Sequence, residues 1–349
     1  MKVALLTPTG EDHRVEPLRI GVLGASRIAV NAIVAPAQLT GARLVAVAAR
    51  DRGRAETFAA DHGVERVLGS YAEVLADPEV EAIYNPLANG LHGPWNVAAL
   101  AAGKHVLTEK PSASDAGEAR EVRAAAERAG LVFMEAFHYL YHPVAQRLLD
   151  VVGSGGIGEL RHVEVHMEIA PPPDGDPRWS LPLAGGGLMD VGCYGVHLHR
   201  MLGRFGGGAP RVTGAEGRER AGHPGVDEWV RAEFAFPGGA TGVLHSSMAA
   251  DELRMTARIV GDTGEVRAAN FVLPHRDDRV WVTTGGVERE ERAGLRPSYA
   301  YQLEAFAAAV RDGAPVPTDA DDAVATAELL DDCYRAAGFD LRPRTAPIA

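Results

Sequence analysis

The chain has 349 residues, 46% of them hydrophobic, with 47 acidic against 35 basic side chains and a formal net charge of −12. That length is too great for one comfortable core and suits two domains, and no apolar run is long enough to cross a bilayer. The acidic balance, with no basic stripe or helix of interleaved aromatics, argues against nucleic acid as a partner.

Residues 1–17 lack the charged, apolar, small-residue layout of a secretory leader and read as a loose tail. From Leu18 onward short, nearly continuous apolar runs at 19–23, 44–48, 82–84, 105–107 and 132–134 predict strands buried on both faces. Helical stretches at 27–39, 52–61, 72–75, 93–102 and 115–129 fall between them, the last closed by Gly130. Such alternation predicts an α/β fold whose N-terminal domain, 18–140, is a Rossmann parallel sheet. After His142-Pro143 the pattern changes, and 141–349 read as a second α/β domain with an open, mostly antiparallel sheet. One helix runs to about Val152, an alternating strand spans 161–169, and a loop rich in Pro, Asp and Gly leads to a helix over 188–202. Strand-like segments joined by turns occupy 211–284 as a meander, and amphipathic helices over 298–311 and 319–336 close the chain. Cys193 and Cys333 lie far apart inside helical patterns with no Cys/His cluster near either. Neither a disulfide framework nor a metal site is expected, and cytoplasm follows as the default location.

Three motifs carry chemistry. Gly24-Ala25-Ser26-Arg27-Ile28-Ala29 follows the first strand and opens a helix, where amide dipoles favour a pyrophosphate, with Ser26 in place of the usual second glycine. At the end of the second strand Ala49 stands where an acid would grip an NAD ribose and Arg50 follows it, so a 2′-phosphate and NADP are the better expectation, NAD remaining possible; Arg27 can assist. Glu109-Lys110-Pro111 ends the fourth strand, and the proline holds Lys110 extended at the carboxyl edge of the sheet. There its ammonium can donate to a carbonyl oxygen gaining charge, and its pKa is expected to fall on partial burial. Within Gly185-Gly186-Gly187-Leu188-Met189-Asp190-Val191-Gly192-Cys193-Tyr194, helical spacing by four and three puts Asp190, Tyr194 and His197 on one face. A phenol beside Lys110 suits a proton donor, with Asp190 orienting substrate, while His197 reads first as a structural histidine. Arg178, Trp179 and His197 join Asp190 in the expected substrate site.

These residues resemble the Gfo/Idh/MocA oxidoreductases from Leu18 to about Gly338, within the branch that holds glucose-fructose oxidoreductase, dihydrodiol dehydrogenase and D-xylose dehydrogenase. The resemblance implies that Lys110 is catalytic and that Tyr194 is its acid/base partner. It implies that Pro86, Leu87, Asn89 and His92, with Glu109 and Lys110, border the nicotinamide half of the cofactor. His138 departs from the family pattern, where an apolar or Asn-like residue is more frequent. The expected reaction is reversible hydride transfer between a nicotinamide and a secondary or hemiacetal hydroxyl of a sugar, sugar derivative or cyclic diol. A homodimer or homotetramer is implied. Alternatives are a cofactor-binding sensor or subunit without turnover, and NAD-assisted glycoside cleavage.

Overall fold

The computed structural model describes residues 16–346, so most of the expected tail lies outside the described residues. Five strands, β1 (Arg19–Leu23), β2 (Arg43–Ala48), β3 (Ala82–Asn85), β4 (His105–Thr108) and β5 (Phe133–Glu135), form an all-parallel sheet in the order β2-β1-β3-β4-β5. Their Val, Ile and Leu side chains are buried on both faces, as helices packed on either side require. The strand order reverses between β1 and β3, which opens a crevice at their carboxyl ends.

Helix α1 covers 27–40 and contains a π turn at Val30–Val34. Next come α2 (Arg52–His62), whose cap Asp51 accepts from Arg54 N at 2.9 Å, then α3 (Tyr71–Ala76), α4 (His92–Ala101) and α5 (Ala116–Ala129). Gly130 ends α5 in the left-handed conformation, as its glycine predicts.

The second domain opens with α6 (Pro143–Gly153) and β6 (Leu160–Glu168). Helix α7 covers 188–202, its first turn, Leu188–Gly192, being π rather than α. Strands β7 (Arg211–Glu219), β8 (Asp227–Ala235), β9 (Thr241–Ser247), β10 (Arg254–Gly261), β11 (Gly264–Ala268), β12 (Arg279–Thr284) and β13 (Val287–Arg292) complete an eight-stranded sheet. It is not a simple meander: β6 lies between β9 and β10, antiparallel to β10 and parallel to β9. Helices α6 and α7 cover one face of this sheet, where Leu148, Val163, Val165, Val196 and Leu244 share a core.

The last two helices return to the first domain. Tyr299, Leu303 and Phe306 of α8 (Ser298–Asp312) pack into the core around Ile20, Val22 and Ile33, and Thr318 O accepts from Glu135 N at 2.9 Å at the end of β5. Helix α9 (Ala320–Ala336) places Ala323 on the first domain and Leu329, Leu330 and Tyr334 in the core of the second. A linear division at residue 140 therefore separates α8 from the sheet that it covers.

Candidate functional site

At the crevice the chain leaves β1 through Gly24, whose φ of +94° favours glycine. Ser26 is extended, and its Oγ is buried with no hydrogen-bond partner among the described residues. A buried hydroxyl left over at a helix start that needs an anion suits a phosphate oxygen. The same crevice is the opening of a cavity of about 910 Å³ lined by both domains. Ser26, Arg27, Ile28, Asn31 and Arg54 form one wall, Pro86, Leu87 and Asn89 the floor, and Asp176, Arg178, Leu183 and Arg276 the facing wall.

Of the residues expected for a cofactor, Ser26, Arg27, Ile28, Pro86, Leu87 and Asn89 are brought together here, and Gly24 lies beside Leu87. Asn89 Nδ2 reaches Ala184 O at 3.4 Å, and Arg27, 86% exposed, meets Asp176 at 3.1 Å, so the two walls touch. Arg50 is exposed and does not line the cavity; Arg54, one turn later, does, and donates to Ala25 O at 2.9 Å. Asn31, Arg54 and Arg276 carried no motif. Only the position of Arg54 in the first turn after Asp51 could have marked it.

His92 is buried, with Nδ1 2.6 Å from Pro111 O and Nε2 2.8 Å from Leu87 O. Two carbonyls would favour a doubly protonated ring, but burial and the nearby Lys110 charge outweigh them and pull its pKa down to about 4. The neutral ring sits between the β3 and β4 loops and donates its one hydrogen to one of the two carbonyls. Asn85 and Asn96 are joined beside it by a 2.9 Å side-chain bond, with Asn96 donating to Ser112 O.

Lys110 points inward. Its Nζ donates to Asp190 O at 2.6 Å and lies 4.9 Å from the centre of the Tyr194 ring. Burial works against its charge, yet the groups around it raise the pKa above the ordinary lysine value. Cys193 is among these groups, but burial pushes its own thiol up to about 12, so the Asp190 and Glu109 carboxylates are the charges that matter. The expected fall is thus reversed, and Lys110 is a fixed ammonium. Glu109 is buried, bonded to Tyr84 Oη at 2.9 Å, with its pKa raised by burial. At the end of β5 Glu135 accepts from Ser112 N at 2.6 Å, while its Oε2 is buried without a partner among the described residues; burial pushes this carboxyl up to about 7.

The Gly185-Gly186-Gly187 turn sets Asp190 against Lys110. Gly186 has φ +142°, and a Cβ there would stand 2.0 Å from Asp227 Oδ1. Asp227 accepts from Leu188 N at 2.7 Å and from Tyr334 Oη at 3.1 Å, and Arg342 donates to Gly185 O and Gly225 O, each at 2.9 Å. Asp190 then meets Arg178 at 3.6 Å, and Arg178 is bound in turn to Asp176 on the cavity wall.

Asp190 lies in the π turn that opens α7, and Lys110 Nζ reaches both its carbonyl and the ring of Tyr194. Tyr194 Oη is 3.0 Å from His138 Nε2. His197 has no exposed surface and is held between Tyr139 Oη at 2.7 Å and Asp322 at 3.0 Å, stacked on Phe137. Trp179 is buried, its indole donating to Pro172 O at 3.1 Å. Of the expected catalytic and substrate residues Arg178 lines the cavity, while Lys110, Asp190, Tyr194, His197 and Trp179 do not.

The model of an oxidoreductase family with an NAD-binding Rossmann fold, Gfo/Idh/MocA, matches residues 18–137, and that family's C-terminal domain matches 145–267. The chain belongs to this family. It is 33% identical over 323 residues to the NADP(+)-dependent D-xylose 1-dehydrogenase 2 of Haloferax volcanii, covering 92% of this chain and 97% of that one. Identity to the trans-1,2-dihydrobenzene-1,2-diol dehydrogenase of Mus musculus is 34% over 284 residues, 80% of each chain. Among solved structures, the 3-ketoreductase KijD10 of Actinomadura kijaniata with NADP and TDP-benzene superposes with a TM-score of 0.83 at 30% identity, over 92% of this chain and 98% of that one. Variants of that ketoreductase with one lysine and one tyrosine replaced also match; the two lie at the same separation along the chain as Lys110 and Tyr194.

Proposed function

We propose that the chain is an NADP-dependent oxidoreductase interconverting a CH–OH group and a carbonyl on a sugar or sugar derivative. The observation that carries this reading is the inward Lys110 ammonium, held by Asp190 O beside the Tyr194 ring, behind a crevice where the Ser26 hydroxyl is buried at a helix start without a partner among the described residues. Ser26, Arg27, Ile28 and the Gly24 turn would hold the pyrophosphate, Arg54 rather than Arg50 the 2′-phosphate, and Pro86, Leu87, Asn89 and His92, with Glu109, the nicotinamide end. Bound there, NADP supplies or accepts a hydride at the substrate carbon.

Lys110 is charged throughout the working range, so it acts as a hydrogen-bond donor and not as a base. Two of its three N–H groups remain for a substrate oxygen on which negative charge develops. Tyr194 supplies the proton to that oxygen, and takes it back in the direction of oxidation. Asp190 and Arg178, already paired, orient substrate hydroxyls. The buried free cysteines favour the cytoplasm as location, and the half-buried His162, Glu164, His166 and Glu168 on the face of β6 opposite its core residues favour a homodimer or homotetramer.

The test is turnover of NADPH with a panel of keto-sugars, free and nucleotide-linked, and of NADP with aldoses and a dihydrodiol. Lys110→Met and Tyr194→Phe should each lower kcat by about a hundredfold or more with folding intact. Unchanged turnover of an accepted substrate in Lys110→Met would sink the assignment.

A further inference from the structure

Behind the Tyr194 phenol stands a residue that the motifs leave unused. His138 belongs to the short 3-10 turn His138–Tyr141 between the domains and has no exposed surface. Its Nε2 is 3.0 Å from Tyr194 Oη, its Nδ1 is 2.7 Å from Ser298 Oγ, and its ring lies 3.8 Å from that of Tyr299. Among the described residues, His138 is the one hydrogen-bond partner of the Tyr194 hydroxyl.

A neighbouring pair shows what the far side of a histidine decides. Tyr139 meets His197, whose other nitrogen faces the carboxylate of Asp322. A carboxylate can only accept, so His197 Nε2 carries the hydrogen, Nδ1 accepts from Tyr139, and that phenolic hydrogen is consumed. Ser298 ends the other chain with a hydroxyl, which can donate. With Ser298 donating to Nδ1, the hydrogen of a neutral His138 sits on Nε2 and is given to Tyr194 Oη. The phenolic hydrogen of Tyr194 is then free for a substrate oxygen.

We infer that His138, in the Nε2–H form that a donating Ser298 permits, is the positioning residue of Tyr194: it turns the phenolic hydrogen toward substrate and holds the tyrosinate left behind. The inference rests on the reading of Tyr194 as proton donor. In the transfer the Tyr194 O–H bond breaks, a substrate O–H bond forms, and the electron pair stays on Tyr194 Oη. His138 keeps its own hydrogen, and solvent returns the missing proton once product has left. Burial, with the Lys110 charge and the rings of His275 and His142, keeps the pKa of His138 well below the ordinary histidine value, so the imidazole is neutral across the working range. The other groups facing Tyr194 are Lys110, Tyr299, Glu109, Cys193 and Asp190.

The experiment is the pH profile of kcat for alcohol oxidation, where Tyr194 must be ionised to accept a proton, run beside an ultraviolet titration of tyrosinate. Removing a donor to the tyrosinate raises the phenol pKa, so His138→Leu should move the ascending limb up by about one pH unit, a roughly tenfold lower kcat below it. KM should stay within about twofold. His138→Gln, which presents an amide N–H near the place of Nε2, should recover kcat to within about threefold. Ser298→Ala should shift the limb the same way by less. A folded His138→Leu with an unmoved limb overturns the inference; if that variant melts too low to assay, an unmoved limb in Ser298→Ala does so. Tyr194→Phe separates the two readings: unchanged turnover there refutes the proton-donor role itself, whereas lost turnover with unmoved His138 and Ser298 profiles refutes only the positioning.

Discussion

At the scale of residues, two arginines one turn apart divide what the sequence joins. Arg50 satisfies the rule for a 2′-phosphate by its place after β2, yet Arg54 is the one on the cavity wall. Fluorescence titration of Arg54→Ala should show NADP binding weakened about tenfold or more, NAD binding much less, and Arg50→Ala should move NADP binding by less than about threefold. Glu135 supplies a pH test. Its folded pKa of about 7 lies above the value in an unfolded chain, so the native state holds the extra proton, and stability falls as pH rises from about 4.5 to about 7. Glu135→Gln lacks this dependence. The variant should gain on the wild type across that window, by a pH-dependent difference on the order of 3 kcal/mol, measured by denaturant unfolding at pH 5 and pH 8. The positions of Lys110 and Ser26 were legible because motif and strand end coincide, whereas Tyr194 was marked by its motif and by helical spacing. The hydrogen bonds of His138 and His197 were not, since each is made with a residue distant along the chain.

At the scale of elements, periodicity located every strand of the first sheet and the helices between them, because strands buried on both faces leave short apolar runs. The second sheet was legible as strands up to residue 284 but not as an order, and β13 lies beyond that span. Alternation tells which side chains face the core and says nothing about which strand lies beside which, so the placement of β6 between β9 and β10 had no local signal. The Gly185-Gly187 turn was legible as a motif, while its fastening by Asp227, Tyr334 and Arg342 was not. Arg342 and Asp227 are both fully buried at 3.7 Å. Arg342→Ala strands the Asp227 charge and three carbonyl oxygens, and should cost about 3 to 5 kcal/mol of stability with a lowered Tm. Where the variant still folds, kcat should fall more than KM rises, since Asp190 O no longer fixes Lys110.

At the scale of the whole molecule, the two domains are tied by the chain's end as much as by residues 137–143. Helix α8 fills the first domain's core with Tyr299, Leu303 and Phe306, and α9 spans both domains. A fragment ending at residue 140 leaves that apolar face bare, so it should aggregate or melt well below the full chain. Linking 298–316 to the fragment through a flexible spacer should restore cooperative unfolding, as followed by circular dichroism. A fragment as stable as the full chain would show the helix to be dispensable.

The return of α8 also sets an order on synthesis. The nascent sheet emerges from the ribosome well before the helix that covers it, and at typical elongation rates the interval is on the order of ten seconds. During that time its bare side is open to chaperones and to other newly made chains, so slowing translation between residues 140 and 298 should lower the yield of native protein more than the same delay placed before residue 18.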